Sequence, residues 1–278
     1  VKTGLEKKEL SIFTHPEKGK VYIGNPVFKP FVSRLIYPYK IIQNALVEKI
    51  EKPVDKLDDR WRITVKDREP IYANRIILTT PAPQTYALLP DFLIELKETS
   101  LNAEYLPCIS ALIGVELSKS SSIKLNKFCP RLDPIILTKG NIGWSIAKWT
   151  ISRKNTTAYL SLIIHANDMF SKNNLEKDVN DLACKLWQEW KSHISENTNL
   201  DLLLLPKQAS YLKGHRWRYA KVSKIPDKGH MRTNTKHNIA LAGDWLAGPR
   251  IECAWISGRD AANSLLGRPY YSDITKNN

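Results

Sequence analysis

Hydrophobic and polar positions alternate with a period of two in several segments of the chain, which is the pattern of a half-buried β-strand. The segment RWRITVKD has apolar residues at alternate positions that share one face, namely Trp61, Ile63 and Val65. Apolar segments bounded by turn residues predict further strands. The predicted strands cover residues 40–52, 60–67, 75–79, 110–117, 134–137, 143–149, 158–165, 205–222 and 239–242.

A period near 3.6 residues predicts a long helix in NNLEKDVNDLACKLWQEWKSHI, with Asn174 as its N-cap. Its apolar stripe consists of Leu175, Val179, Leu182, Leu186, Trp190 and Ile194. Shorter helices are predicted over residues 25–36, 84–89 and 250–266. The order of these elements predicts a mixed α/β fold, in which a three-layer α/β unit is split by an insertion rich in antiparallel sheet.

The segment HNIALAGDWLAGPRIECAWISGRDAANSLLG predicts a buried strand, a glycine turn and a helix. Gly243 permits a tight turn or the close approach of a ligand. Asp244 follows at the carboxyl end of the strand, where open α/β sheets bind ligands. Pro249 suits the first helical position, and the free N–H groups of that turn attract an anion or a carbonyl oxygen. A purely structural corner can carry the same residues, so the residues alone leave both interpretations open.

The segment LAGDWLAGPRIECAWISGRDAA resembles the C-terminal flavin motif of the FAD-dependent amine oxidase superfamily, and most of all its renalase-like branch. Four other segments are similar to elements of that family, namely KVYIGNPVFKPFVSRL, NALVEKIEK, RIILTTPAPQTYALL and HRWRYAKV. The resemblance implies a Rossmann-like FAD-binding domain from residues 20–90 and 235–267. It also implies an antiparallel-sheet substrate domain over residues 91–234, as in amine oxidases, with peripheral segments at 1–19 and 268–278.

The same resemblance implies that the C-terminal junction binds FAD. Asp244 would bind the ribityl or pyrophosphate portion, and Gly243 would let the backbone approach it. The start of the predicted helix would approach the pyrimidine edge of the flavin through Arg250, Ile251 and Glu252. Trp245 would form a wall beside the flavin or, as large aromatic residues often do, belong to the core.

Two earlier positions complete the implied cofactor site. The backbone around Val47 would contact the adenine ring, and Pro81 would lie near the dinucleotide. For two other residues an alternative stays open: Glu252 could pair with Arg259 or Arg250, and Trp255 could be a core residue.

None of the 12 glycines forms a GxGxxG pattern. That motif belongs to the first βαβ unit of a dinucleotide-binding domain, where it brings a helix N-terminus to the pyrophosphate. We therefore expect an incomplete cofactor domain with a truncated N-terminus relative to the family. A separate N-terminal segment would complete it as a partner. A split or mis-started reading frame, suggested by Val1, and a decayed remnant are the alternatives.

Candidate substrate contacts lie in HRWRYAKV. Arg216 and Arg218 are predicted to orient an anionic small-molecule substrate, or else to lie on a solvated edge strand. Because alternate residues of a strand face opposite sides, the two arginines share one face and His215 points to the other. His165, at the end of an apolar strand, is interpreted as structural. The implied reaction takes a hydride from an amine or a dihydronicotinamide-like donor onto the flavin.

The charge offers an alternative function, a non-catalytic basic binding module. The sequence has 42 basic and 28 acidic residues and a formal net charge of +14. The basic residues are dispersed, and the aromatic and basic stacking motifs of RNA-binding modules are absent from the sequence, so nucleic acid is the weaker expectation. The four cysteines have no metal-ligand spacing, which predicts unreactive thiols in a cytoplasmic protein without a metal site. No apolar run approaches the roughly 18 residues of a membrane span.

Overall fold

The computed structural model describes residues 10–15, 19–24, 29–52, 59–118, 135–136, 140–151, 157–198, 209–226 and 229–269. The strands within these residues form four sheets. The backbone divides into two compact units, one from residues 1–48 and 65–69 and the other from residues 49–64 and 70–278.

The first unit contains an antiparallel hairpin and a short helix. Strands β1 (Leu10–His15) and β2 (Gly19–Gly24) pair with each other. Helix α1 (Lys29–Ile36) accommodates Pro30 in its first turn, where the missing N–H has no partner in a helix anyway. This confirms the predicted helix 25–36 from residue 29 onward, and residues 25–28 lie outside the described part of the chain.

A three-stranded sheet has the order β3 (Val47–Glu51), β4 (Trp61–Val65) and β5 (Ile71–Ala73). The predicted strand over 40–52 is wrong before residue 47. Asn44 has a positive φ of 51°, a left-handed conformation that interrupts an extended strand. In β4 the predicted alternation is confirmed only at the two ends, where Trp61 and Val65 are buried, because Ile63 is half-buried like Arg62 and Thr64.

A short strand and two helices follow. Strand β6 (Ile76–Leu78) leads through Pro81, the N-cap, into helix α2 (Ala82–Leu88). Helix α3 (Ile94–Leu101) was not predicted, because it has no continuous apolar stripe. Its Leu96 is buried, whereas Ile94 and Leu101 are exposed.

The largest sheet is antiparallel and has the strand order β11-β7-β10-β9-β8. Its members are β7 (Glu104–Ser118), β8 (Ile135–Ile136), β9 (Ile142–Ile151), β10 (Thr157–Ala166) and β11 (Tyr211–Lys224). Two helices lie between β10 and β11, namely α4 (Asp168–Asn173) and α5 (Val179–Thr198). The sheet is antiparallel throughout, as the sequence predicts for the strands of this part of the chain.

Helix α5 packs its apolar face against this sheet. Its predicted stripe is buried at Leu182, Leu186, Trp190 and Ile194. The prediction that Asn174 caps the long helix is wrong, because Asn174 ends α4. Instead, Asp178 Oδ1 accepts hydrogen bonds from the backbone N–H groups of Asn180 (2.8 Å) and Asp181 (3.0 Å). A carboxylate does this well, because it also complements the helix dipole.

The C-terminal part of the chain forms a sheet with β6. Strands β12 (Arg232–Asn234) and β13 (Ile239–Leu241) give a sheet of order β12-β13-β6, in which β13 runs parallel to β6. Helices α6 (Asp244–Ala247) and α7 (Ile251–Leu265) follow. The fold is therefore mixed α/β, as the sequence predicts. Within the described residues, no helix combines the length and hydropathy that crossing a membrane requires.

Candidate functional site at the ends of two parallel strands

Two parallel strands end at the same edge of the small sheet. Leu241 of β13 lies opposite Leu78 of β6, and the next residue, Ala242, donates its N–H to Leu78 O (3.0 Å). The segments that leave these strands therefore emerge side by side. The segment after β6 carries Pro81, and the segment after β13 carries Gly243 and Asp244. Both segments lie at the carboxyl edge of the sheet, where α/β sheets bind ligands.

Gly243 has a conformation and an environment that exclude a side chain. Its φ is 144°, and a Cβ atom there would lie 2.9 Å from Cδ1 of Trp245. Its N–H donates to Oγ of Ser257 in the middle of α7 (2.9 Å). The turn at Gly243 is therefore held by the packing of the Trp245 indole and by the hydrogen bond to Ser257 of α7.

The two tryptophans of this region have opposite surroundings. Trp245 is only 1% exposed, and its indole N–H has no hydrogen-bond partner within the described residues. Trp255, on α7, is 62% exposed. Trp245 thus packs into the junction, whereas Trp255 lies at the surface, and the role of either residue beside a flavin stays a prediction.

The start of α7 is open to an acceptor. No side chain caps it at Arg250, and Arg250, Ile251 and Glu252 are all exposed. Gly248, with a φ of 129°, provides the turn that separates α6 from α7. The N–H groups of the first turn and the positive end of the helix dipole can therefore receive a carbonyl or an anion.

A buried carboxylate holds α7 to the chain before β12. Asp260 has no exposed side-chain surface, and its oxygens contact His230 Nε2 (2.6 Å) and Arg259 Nε (2.8 Å). Burial raises the pKa of Asp260, but the hydrogen bonds from Arg259 and His230 outweigh burial and hold it below its ordinary value. The carboxylate is therefore ionised near neutral pH and anchors the helix.

Tyr105 joins this site from β7, and the sequence alone did not indicate it. Its hydroxyl oxygen accepts a hydrogen bond from the N–H of Ala82 (2.9 Å), the residue after Pro81. Burial raises the pKa of Tyr105 to about 12; the Ala82 N–H opposes this, and the charge of Asp244 adds to it. Tyr105 therefore remains a neutral phenol close to the Asp244 carboxylate.

Arg216 and Arg218 lie on the side of β11 that faces the start of α5. Arg216 Nη2 donates a hydrogen bond to Lys177 O (2.5 Å). Arg218 forms a bidentate salt bridge with Glu176 (2.6 and 2.9 Å). Gly214, two residues earlier on the same side, lies so close to Val179 that a Cβ atom would overlap its carbonyl.

The two arginines thus share a side, as the alternation predicts, and both bind groups of their own chain. Their proposed contact with a substrate stays a prediction. His215 points to the opposite face, where its ring meets that of Trp217 edge-on at 4.3 Å.

Two residues predicted for the cofactor site, Val47 and Pro81, belong to different compact units. Val47 begins β3 and belongs to the first unit, whereas Pro81 and the C-terminal junction belong to the second. Cys108, Cys184 and Cys253 are free thiols, and Cys129 lies outside the described residues. In the part of the chain that the structure describes, no cluster of three potential metal ligands occurs.

No protein-family model matches the chain. Solved structures with the same fold include cyclohexylamine oxidase from Brevibacterium oxydans IH-35A, at 11% identity and a TM-score of 0.52, covering 80% of this chain and 48% of that protein. Wild-type putrescine oxidase bound to putrescine matches at 13% identity and a TM-score of 0.55, covering 90% of this chain and 54% of that protein. The chain thus has the fold of amine oxidases and spans about half the length of these proteins.

Proposed function

We propose that this chain forms the cofactor-binding and substrate-binding part of an FAD-dependent oxidoreductase of the amine oxidase type, with the renalase-like branch as the nearest by motif. The observation that carries the proposal is the junction itself. It combines Gly243 and Asp244 at the carboxyl edge of two parallel strands with an uncapped helix start a few residues later.

The residues of the junction fit a flavin dinucleotide. Asp244 offers a carboxylate for the ribityl or ribose hydroxyls, and the turn at Gly243 brings backbone close to the same edge. The first turn of α7 offers N–H donors to the carbonyl oxygens of the pyrimidine ring. When bound, the flavin would supply the redox chemistry by accepting a hydride from an amine or a dihydronicotinamide-like donor.

The chain's own contribution is electrostatic and positional. The positive end of the α7 dipole would stabilise negative charge at its N-terminus, and the ionised Asp260 holds that helix in place. Tyr105 would hold the Pro81 turn through the Ala82 N–H. The sheet β11-β7-β10-β9-β8 would provide the substrate surface.

The proposal includes a further segment that supplies a GxGxxG unit beside β6. Within the described sheets β6 lies at an edge, which leaves one side of its backbone without a neighbouring strand. Ile77 on β6 and Trp255 on α7 are exposed apolar residues in the same part of the fold. A parallel strand with its crossover helix would satisfy both the backbone edge and the apolar surface.

Flavin binding by variants of Asp244 tests the proposal. The protein is purified together with the dinucleotide-binding segment, and FAD affinity is measured by quenching of flavin fluorescence. Because Asp244 would make charge-assisted hydrogen bonds to hydroxyls, Asp244→Ala should weaken FAD binding roughly 10- to 100-fold.

The matched control is Asp91→Ala, which removes an exposed aspartate paired with Lys97 and should leave FAD affinity unchanged. Wild-type protein that shows no flavin absorbance and no FAD binding in this assembly would contradict the proposal. Equal affinities of the wild type and Asp244→Ala would contradict the role of Asp244.

A further inference from the structure

One face of the five-stranded sheet is covered by α5, and the opposite face carries polar and aromatic residues. Cross-strand pairing places four of these residues in one row, namely His215 on β11, Ser110 on β7, His165 on β10 and Trp144 on β9. Cys108 lies on the same face, two residues before Ser110. The proposed flavin chemistry gives no role to this row.

Cys108 and His165 are in direct contact, with 3.1 Å between Sγ and Nδ1. Burial raises the pKa of the Cys108 thiol; the hydrogen bond with Ser110 opposes this, and the Asp168 charge adds to it. Burial also lowers the pKa of His165. Both groups are therefore uncharged near neutral pH. A hydrogen bond between sulfur and nitrogen then requires one of the two groups to donate its proton to the other.

The thiol is the donor in this pair. An imidazole nitrogen accepts a hydrogen bond far better than a thiol sulfur does. Cys108 Sγ also lies 3.6 Å from the carbonyl oxygen of Ile109, but Nδ1 is nearer at 3.1 Å, so we assign the S–H proton to the contact with Nδ1 and the ring proton of His165 to Nε2. The Ser110 hydroxyl, 3.7 Å from Sγ, can in turn donate to the sulfur.

The Nε2–H group of His165 is oriented and available. Among the described residues, the hydrogen-bonding contact of His165 is that of Nδ1 with Cys108, and Nε2 is not among the fully buried atoms without a partner. The ring stacks on Trp144, with 4.3 Å between centroids and 11° between planes. Trp144 is itself 38% exposed. A fixed donor thus lies beside an exposed aromatic surface.

We propose that Cys108 is a positioning residue that fixes His165 as the Nε2–H tautomer, and that His165 and Trp144 form a binding subsite for an aromatic carbonyl compound. The ligand ring would pack on Trp144 while its carbonyl oxygen accepts the hydrogen bond from Nε2. An ammonium group has no lone pair to offer this donor.

The subsite would extend the proposed function by naming a class of ligand. It rests on that function in one respect, namely that the five-stranded sheet provides the substrate surface. Trp217 lies opposite Cys108 in the register, and Tyr219 packs edge-on against Tyr105 at 5.3 Å. Trp217 therefore extends this face by one position along β11.

The tautomer is tested by ¹⁵N NMR of the histidine side chains in the full chain, without flavin. The wild type should show the His165 resonances of a neutral Nε2–H imidazole near neutral pH. Cys108→Ser, which keeps a donor, should preserve this pattern, whereas Cys108→Ala should shift it toward a tautomer mixture. An Nδ1–H or cationic ring in the wild type, or no change in Cys108→Ala, would overturn the positioning role.

The ligand class is tested by NMR titration of the same samples with benzamide and with benzylamine. Benzamide should bind with shifts at His165 and Trp144, and benzylamine should bind more weakly. Because one neutral hydrogen bond is lost, His165→Phe should weaken benzamide binding about fivefold. Tyr211→Phe, at the far end of the same face, should leave it unchanged.

Equal binding of the two probes, or unchanged affinity in His165→Phe, would overturn the ligand assignment. An FAD titration of the same variants, assembled with the dinucleotide-binding segment, separates this result from the proposed function. Protein that binds benzamide at His165 but no FAD would contradict the proposed function and leave the subsite intact, whereas the reverse result would overturn the subsite alone.

Discussion

The five-stranded antiparallel sheet and the small mixed sheet β12-β13-β6, named the parallel sheet after its strands β13 and β6, are stabilised by different contacts. The first encloses large apolar side chains between its strands and α5, including Trp187, Trp190 and Leu186. One buried cluster between the parallel sheet and α7 contains the small residues Ala240, Ala242 and Ala261 together with Leu265, and Met231 packs against it. On the outer side of α7, Ile251 is 73% exposed and Trp255 is 62% exposed.

The difference indicates which interactions stabilise each region. The antiparallel sheet buries enough apolar surface to be stabilised chiefly by the hydrophobic effect. The parallel sheet depends more on specific polar contacts, namely Ser257 with Gly243 and Asp260 with His230 and Arg259. Small residues and an exposed outer face suit a region that receives a flat ligand and a further segment, as the proposed function requires.

The largest effect is expected in the antiparallel sheet. Trp190→Ala would leave a cavity, remove the stack with Trp187 at 5.7 Å and leave Ser145 Oγ without the indole donor. The free energy of unfolding, measured by urea denaturation, should fall by about 3–5 kcal/mol. Trp217→Ala, at an exposed position of the same sheet, should change it by less than about 0.5 kcal/mol. Similar losses in both variants would argue against a self-sufficient core around α5.

A smaller and more local effect is expected in the parallel sheet. Asp260→Asn removes the buried negative charge and leaves His230 and Arg259 with a weaker partner. We expect a loss of about 3 kcal/mol, with faster amide hydrogen exchange confined to β13 and α7. Asp91→Asn, an exposed ion pair, is the control and should have almost no effect. Uniformly faster exchange throughout the antiparallel sheet would contradict this local dependence.

The same carboxylate predicts how stability depends on pH. Because the folded pKa of Asp260 lies below its ordinary value of 3.8, its contribution is complete above that value and is lost as pH falls through the folded pKa. Stability should therefore be insensitive to Asp260 between neutral and mildly acidic pH and fall below about pH 4. The acid limb should be shallower in Asp260→Asn. An acid limb identical to the wild type's would rule out this linkage.

The smallest effect is expected on the outer face of α7. Trp255→Ser replaces an exposed side chain, so the free energy of unfolding should change by less than about 0.5 kcal/mol. Binding of the dinucleotide-binding segment, measured by calorimetry, should nevertheless weaken if that segment covers Trp255. A loss of more than 1 kcal/mol of stability by itself would show that this face already contributes to packing within the chain.

Features that depend on near neighbours could be predicted from the amino-acid sequence. The period of α5, the alternation in β4 and the strand, turn and helix around Gly243 follow from backbone geometry and were predicted from the residues. The prediction failed at Asn174, because several polar residues near a helix start can serve as its cap and only packing selects one.

Tertiary structure alone decided which distant residues meet. Tyr105 and Ala82 are 23 residues apart, and Cys108 and His165 are 57 apart, so no local period relates them. Their contacts follow from how α2 packs near β7 and from the register of β7 against β10. The same packing directed Arg216 and Arg218 toward α5, because a strand's alternation fixes which residues share a side, while only the helix position decides what that side contacts.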